Sequence, residues 1–316
     1  MPAARRSATV AAPNTQHALQ IWAWAKINLY LHVVGRRADG YHELDSLIVF
    51  AGVGDRLRFA AADALSLTIE GPFGSGLAAD ESNLVLRAAH ALRDSQSIED
   101  GARLALDKRL PLASGIGGGS ADAAATLIGL ARLWRIAPGE AALSLLAARL
   151  GADVPVCLFG RPAFIGGIGE VIERAPPLPP AWLLLVNPGV ELATPAVFKR
   201  RQGAFSQTAR WRAVDRDAAA LAERLAETRN DLEASARSLV PEIGEVLSAI
   251  GRQPGCLLAR LSGSGATCFG LFAEQSAAQA AAASLAAAQP EWWSAAAPLL
   301  HGRLDRPWWG DGASDA

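Results

Sequence analysis

Residues 113–134 read ASGIGGGSADAAATLIGLARLW, with four glycines among the five residues 115–119. Glycine costs backbone entropy, so such a run marks tight turns or a place where another group must approach the main chain closely. Beyond it, Ala124, Leu127, Ile128, Ala131 and Trp134 recur at spacings of three and four, which predicts a helix from about Gly119 or Ser120 with those residues on one inward face. The N-terminus of that helix points at the loop. Unpaired amides and the positive end of the helix dipole suit an anion there, and the missing side chains let phosphate oxygens reach the amides. Phosphate is the chemistry the stretch points to, against the plainer reading of a strand-to-helix connection that holds nothing. Two familiar loops are excluded. Gly119 is followed by Ser120 and Ala121, without the lysine of a P-loop, and the sixth position from Gly115 is Ser120 where a dinucleotide fingerprint needs glycine.

The elements around the loop are legible in outline. WAWAKINLYLHVVG alternates apolar and polar residues in part from Trp22 and ends at a glycine, as a strand entering a turn does, and RRADGYHEL supplies the turn. DSLIVFAGVGDRLRFAAA and ALSLTIEG predict further strands, SNLVLRAAHALRD a helix capped by Ser82, and ARLALDKRLP the strand that feeds the glycine loop. The proline-rich ERAPPLPPAW marks a boundary near the middle. WLLLVNPG reads as a strand after it, followed by helices over about 212–228 and 241–250. CLLARLSGSGATCFGLFA then gives a strand, a second glycine turn and a strand, and the alanine-rich run 277–288 a surface helix.

A chain of 316 residues with 51% hydrophobic residues has material for two domains or one large one. Lysines and arginines number 30 and acidic residues 31, so no global pull toward nucleic acid or an anionic membrane is expected and any anion site must be local. Cys157, Cys256 and Cys268 are odd in number and far apart. Two of them sit in the apolar contexts PVCLF and ATCFG, which suggests reduced thiols, no structural metal and a cytoplasmic setting. Residues 1–20 lack an apolar run long enough for a signal peptide or membrane span and are expected to be a disordered extension, and the end of the chain, DRPWWGDGASDA, a tail.

Four stretches together go beyond generic phosphate binding. PLASGIGGGSADAA resembles the central phosphate loop of the GHMP kinase superfamily and LSGSGATCFGLF its C-terminal glycine loop. AKINLYLHVVGRRADGYHEL and GADVPVCLFGRPAFIGGIGE are similar to segments of the 4-diphosphocytidyl-2-C-methyl-D-erythritol kinase family within it. The likeness spans about residues 25–272. It implies an α+β, two-domain GHMP kinase fold, with an N-terminal domain like domain 2 of ribosomal protein S5 and a ferredoxin-like C-terminal domain. On that reading residues 21–170 bind ATP and carry the chemistry, residues 171–303 form the GHMP-type substrate domain, and 304–316 are the tail. It also implies transfer of the γ-phosphate of ATP, with Mg²⁺ accompanying the nucleotide, to the 2-hydroxyl of a CDP-linked methylerythritol in non-mevalonate isoprenoid synthesis. The partner would be that small molecule, with no nucleic acid or membrane, and the enzyme a monomer or homodimer.

Carried over position by position, the resemblance makes Lys26 and Asp153 the catalytic pair. An aspartate near an acceptor hydroxyl can orient or accept its proton, and an ammonium beside it favours the ionised carboxylate. Without the resemblance, Asp153 reads as a turn residue ahead of Pro155. Pro111, Leu112, Ala113, Ser114, Gly115, Ile116, Gly117, Gly118, Gly119, Ser120 and Ala121 would form the phosphate loop, with Asn83 near the adenine. Asn28, Tyr41, His42 and Phe198 would hold the cytidine end, for which Tyr and His offer stacking and edge hydrogen bonds. Many family members have two serines after the glycines, whereas this chain has Ser120 then Ala121. Only Ser120 is then available to hold phosphate or metal. SGSG at 262–265 suits either a hairpin turn or a backbone wall against a phosphate or sugar.

Other readings stay open at this level. A kinase of homoserine, mevalonate or a sugar would keep both glycine loops but leave GRRADGYHEL without a purpose. A non-catalytic nucleotide-binding regulator would not need Lys26 and Asp153 together. Hydride transfer fails on Ser120 and on the lack of an acid at the expected distance.

Overall fold

A computed structural model describes residues 19–302. The chain opens with two long antiparallel strands, β1 (Leu19–Arg36) and β2 (His42–Ala62), joined by the DG turn. Strand β1 starts at Leu19, so the last two residues of the expected extension belong to the sheet, while residues 1–18 and 303–316, the latter taking in the tail, lie outside the described residues. β2 crosses AGVGD without breaking, because Gly54 lies where a Cβ would meet the Ala23 carbonyl oxygen at 2.4 Å and so lets β1 stay paired. Register shifts at Trp24/Ala25 and Asn28/Tyr30 bracket Lys26 and Asn28, and bulges of this kind re-aim side chains beside functional sites.

The opposite edge of β2 is shared. It pairs in turn with β4 (Gly101–Asp107), which carries β3 (Ser66–Glu70) in parallel, and with β5 (Ala163–Gly167), itself paired to β6 (Val171–Arg174). Between them it meets the last strand, β10 (Trp293–Leu300), through Leu299–Ala51 and Leu300–Phe50. β10 continues through β7 (Trp182–Asn187) to β9 (Cys268–Phe272) and β8 (Cys256–Leu261), giving the order β3-β4-β2-β10-β7-β9-β8. The proline-rich segment joins β6 to β7.

Helices α1 (Leu84–Ser95), α2 (Gly118–Leu133), α3 (Glu140–Leu150) and α4 (Val154–Phe159) form the first core with β1, β2 and β4. The expectation of one inward face on α2 is corrected: every residue from Ala121 to Ala131 is buried. Small side chains permit this. A Cβ at Gly129 would lie 2.3 Å from the Phe59 ring, so α2 packs against the sheet at a distance only glycine allows, with α1, α3 and α4 closing over it. The later helices are α5 (Thr194–Arg200), α6 (Ala218–Ala226), α7 (Glu233–Leu239), α8 (Glu242–Gly251) and α9 (Gln275–Ala288). α9 buries only Ala278, Ala281 and Leu285, as its composition led one to expect. α6 begins at Ala218, where Asp217 caps it by accepting from the Ala220 amide, rather than near Arg212. The irregular stretch before it is tied down by buried Asp45, which accepts from the Ala209 amide (2.7 Å), Arg210 Nε (2.7 Å) and Tyr30 Oη (2.9 Å). Cys157 and Cys268, the two in apolar contexts, are buried and all three cysteines are free.

Candidate active site

A cleft of about 1100 Å³ opens where the two halves meet, lined from one side by Lys26, Asn83 and the glycine loop and from the other by Phe198 and Gly263. The loop reaches it through left-handed conformations at Ala113 (φ 46°), Gly115 (φ 74°) and Gly117 (φ 65°). Gly117 is the N-cap of α2 and provides no side-chain cap, so the first amides of a 16-residue helix face the cleft uncapped. Its glycines have different reasons to be there. A Cβ at Gly115 would come within 2.5 Å of the Gly265 carbonyl oxygen, one at Gly117 within 3.1 Å of the Lys26 side chain, and one at Gly118 within 3.1 Å of Lys108 Nζ. At Gly119 a Cβ meets nothing within 4 Å. Gly119 is therefore the position where the missing side chain leaves room for a ligand rather than for the protein. Ile116 and Ala121 send their side chains into the core instead. The Ile116 carbonyl accepts the Lys26 amide at 2.9 Å, and the Ala121 amide is spent on Gly117 inside the helix.

Lys26 and Asp153, 127 residues apart, meet at 3.0 Å. The Lys26 side chain is 5% exposed and that of Asp153 45%, so the ammonium is fixed from below while the carboxylate looks into the cleft. Asp153 occupies the N-cap of α4 yet makes no capping bond, which leaves its carboxylate to Lys26. Lys26 Nζ also donates to Asn28 Oδ1 at 3.1 Å.

Below the loop lies a second charged group that sequence reading passed over. Lys108, almost wholly buried, donates to Asp55 at 2.5 Å and to Asp122 at 2.7 Å, while the other Asp55 oxygen accepts the amides of Arg109 and Leu110. Burial pushes the Asp122 carboxyl up to about 7, against the pull of Lys108, and its second oxygen has no partner. Nothing in the periodicity of LDKRLP separates a buried lysine from an exposed one.

At the far end, the His42 and Phe198 rings stack with centroids 5.3 Å apart and planes 27° from parallel. Burial, then the charges of Arg36 and Arg201, hold the His42 imidazole below its usual pKa, so the ring is neutral at pH 7. Tyr41 stands 62% exposed at the rim. Asn83, not Ser82, caps α1: its Oδ1 accepts the Val85 amide at 3.0 Å and its Nδ2 donates to the Ala78 carbonyl, while Ser82 bonds to Asp80. A β-region conformation at Asn83 places the acceptor under the first helical amides, which Ser82, one residue earlier, cannot reach.

The SGSG stretch is both turn and wall. Gly265 donates to the Ser262 carbonyl within the turn, and Thr267 donates to the Ser114 carbonyl of the first glycine loop. Ser262 Oγ accepts the Asn28 amide at 3.2 Å and donates to the Gly115 carbonyl. The wall therefore stands against the other glycine loop, while Gly263 and Ser264 line the cleft.

Comparison with known proteins decides the family. Residues 83–161 match the profile described as GHMP kinases N terminal domain, and 209–291 that described as GHMP kinases C terminal. A 4-diphosphocytidyl-2-C-methyl-D-erythritol kinase of Paramagnetospirillum magneticum is 57% identical over 280 residues, covering 89% of this chain and 98% of the relative. One from Rhodospirillum rubrum is 54% identical, covering 88% and 91%. The chain belongs to the 4-diphosphocytidyl-2-C-methyl-D-erythritol kinase family. A crystal structure of 4-(cytidine 5'-diphospho)-2C-methyl-D-erythritol kinase superposes with a TM-score of 0.74 at 34% identity, over 90% of this chain and all of that one. Homoserine kinase from Cytophaga hutchinsonii, at 18% identity and a TM-score of 0.71, shares the fold. The architecture is thus the α+β, two-domain GHMP kinase fold, with its S5-type N-terminal and ferredoxin-like C-terminal parts.

Family membership brings a metal into question. Among the described residues no group of three or more His, Cys, Asp or Glu could cage an ion. Mg²⁺ keeps most of its waters and takes one or two protein oxygens beside substrate phosphates. The Ser120 hydroxyl and the half-open Asp153 carboxylate, both lining the cleft, fit a nucleotide-borne ion of that kind and not a protein-built site.

Proposed function

We propose that this chain transfers the γ-phosphoryl group of ATP to the 2-hydroxyl of 4-diphosphocytidyl-2-C-methyl-D-erythritol, a step in non-mevalonate isoprenoid precursor synthesis. The observation that carries the reading is the Lys26–Asp153 pair, 3.0 Å apart, in one cleft with an uncapped helix N-terminus and the His42–Phe198 stack. In this account the triphosphate lies against the amides of residues 117–120, with the adenine among Leu77, Val85 and Leu112 beside Asn83. The cytosine packs against His42 and Phe198, with Tyr41 at the rim. Asn28 keeps one amide hydrogen for the substrate, since Nδ2 has two and Ser46 takes one.

The acceptor hydroxyl then lies by Asp153. Its oxygen attacks the γ-phosphorus, the bond from that phosphorus to the bridging oxygen breaks, ADP leaves with the electron pair, and the hydroxyl proton passes to Asp153. Phosphoryl transfer asks little covalent help of a protein, so orienting the hydroxyl and placing the Lys26 charge beside the developing anion are the main contributions. Mg²⁺ on the nucleotide, near Ser120, would supply charge neutralisation of the phosphates. The same reading has the enzyme acting in the cytoplasm on small molecules, as a monomer or homodimer. Among the described residues no helix is long and apolar enough to cross a membrane.

ADP release tests the proposal, measured with the CDP-linked methylerythritol, mevalonate and homoserine as alternative acceptors. The expected result is turnover with the first alone. Turnover with mevalonate or homoserine at a comparable rate would assign the cleft to a different acceptor.

A further inference from the structure

Behind Lys26 runs a buried hydrogen-bond chain that the transfer chemistry does not by itself require. Ser46 on β2 is 1% exposed and lines the floor of the cleft. Its Oγ–H donates to the Tyr30 carbonyl at 2.5 Å, Asn28 Nδ2 donates to Ser46 Oγ at 2.8 Å, and Lys26 Nζ donates to Asn28 Oδ1 at 3.1 Å and to Asp153 Oδ2 at 3.0 Å. The direction of this chain is forced. A serine hydroxyl has one hydrogen, and a carbonyl can only accept, so the hydrogen goes to Tyr30 and only a lone pair remains toward Asn28. The Asn28 amide must then present NH₂ to Ser46 and oxygen to Lys26. The flipped amide would set two acceptors against each other at Ser46 and an NH₂ against the ammonium, in a site where an unmet polar contact is costly.

We propose that Ser46 is a positioning residue for phosphoryl transfer: it fixes the orientation of the Asn28 amide, and through it aims the Lys26 ammonium at Asp153. The inference rests on the reading of Lys26 and Asp153 as the catalytic pair. It assigns Asn28 a second task besides any contact with substrate, and explains why a polar side chain is kept at a core position of β2 between Asp45 and Leu47. Without the hydroxyl, one of the two contacts that fix the amide is gone, so the orientation that drives Lys26 from its place costs less. The hydrogen bonds of Ser46 run to Tyr30 and Asn28 rather than to the ATP loop, so nucleotide affinity is spared.

The test measures kcat and both KM values for Ser46→Ala, Asn28→Ala, the double variant and Lys26→Met, with thermal melts to check folding. Ser46→Ala should lower kcat by about ten-fold or more, the scale of a hydrogen bond to a charged group, and leave the KM for ATP unchanged. On the Asn28→Ala background the same substitution should have no further effect on kcat, because the amide through which it acts is gone. If Ser46→Ala does not fold, Ser46→Cys makes the same comparison at nearly constant volume with a weak donor and acceptor. Native kcat in the folded Ser46 variant overturns the inference, as does an equal loss in the presence and absence of Asn28, which marks a packing role. Native turnover of Lys26→Met overturns the catalytic-pair reading itself, and this inference with it. An inactive Lys26→Met beside a native Ser46→Ala overturns the inference alone.

Discussion

Lys26 is buried and Asp153 is half exposed, and this asymmetry sets what each can do. The lysine cannot swing away, because its amide is bonded to Ile116 and its ammonium to Asn28 and Asp153, whereas the carboxylate faces arriving substrate. Asp153→Asn keeps shape while removing the charge and most of the capacity to take a proton. It should lower kcat by about 10²–10⁴-fold, with both KM values little changed. Lys26→Met should do comparable damage. The double variant should lose far less than the product of the two, since groups acting as one unit are not additive. Steady-state kinetics on the three folded variants check this, and near-native kcat in Asp153→Asn would return that residue to the role of a turn aspartate. The sequence showed both residue types but not their meeting: no pattern within the chain links positions 26 and 153, and only the family likeness paired them. Lys108 and Ser46 were not singled out at all, and Ser262 only as part of the SGSG turn, because each owes its role to partners far away in the chain.

At the scale of elements, the glycine loop divides into a protein-facing and a ligand-facing part. Gly115→Ala puts a Cβ at φ 74° and 2.5 Å from the Gly265 carbonyl oxygen, so its effect belongs to stability, a loss of about 1–3 kcal/mol measured by denaturant unfolding. Gly119→Val places its side chain in open space within the cleft. The protein should fold while the KM for ATP rises about ten-fold or more, and unchanged ATP binding in that variant would remove the loop from the phosphate site. Beneath it, Asp122 anchors the first turns of α2 to Lys108. Its folded-state pKa, raised to about 7, lies above the ordinary value of roughly 3.9, so the folded state binds more protons between the two. Its contribution to stability is therefore greatest at the acid end and falls as pH rises through about 7. Asp122→Asn should flatten the melting temperature between about pH 4 and 7 relative to the parent, and an unaltered pH profile would mean that Asp122 is ionised throughout. Sequence periodicity found α2 but gave it one inward face. All-round burial depends on alanines and Gly129 meeting neighbours from five other elements, which a single-helix pattern does not contain.

Over the whole molecule, the sheet runs without interruption from β3 to β8, and it is β10, near the end of the chain, that stitches β7 to β2. Order and type of most strands were readable from alternation and turn residues. The return of β10 was not, because its register with β2 is set by two pairs only. The irregular stretch before α6, expected to be helical from about Arg212, is held open by Asp45 across the fold rather than by its own propensity. The cleft between these parts is lined by the phosphate loop, the lysine–aspartate pair and the aromatic stack together. The central claim is that a phosphoryl group passes within that cleft from ATP to a hydroxyl of the CDP-linked methylerythritol. Phosphorus NMR of the protein with ATP and that substrate tests it most directly. The account predicts a new phosphomonoester signal growing in step with ADP while the diphosphate bridge of the substrate stays intact. Release of inorganic phosphate without a phosphomonoester, or no loss of ATP at all, would contradict it.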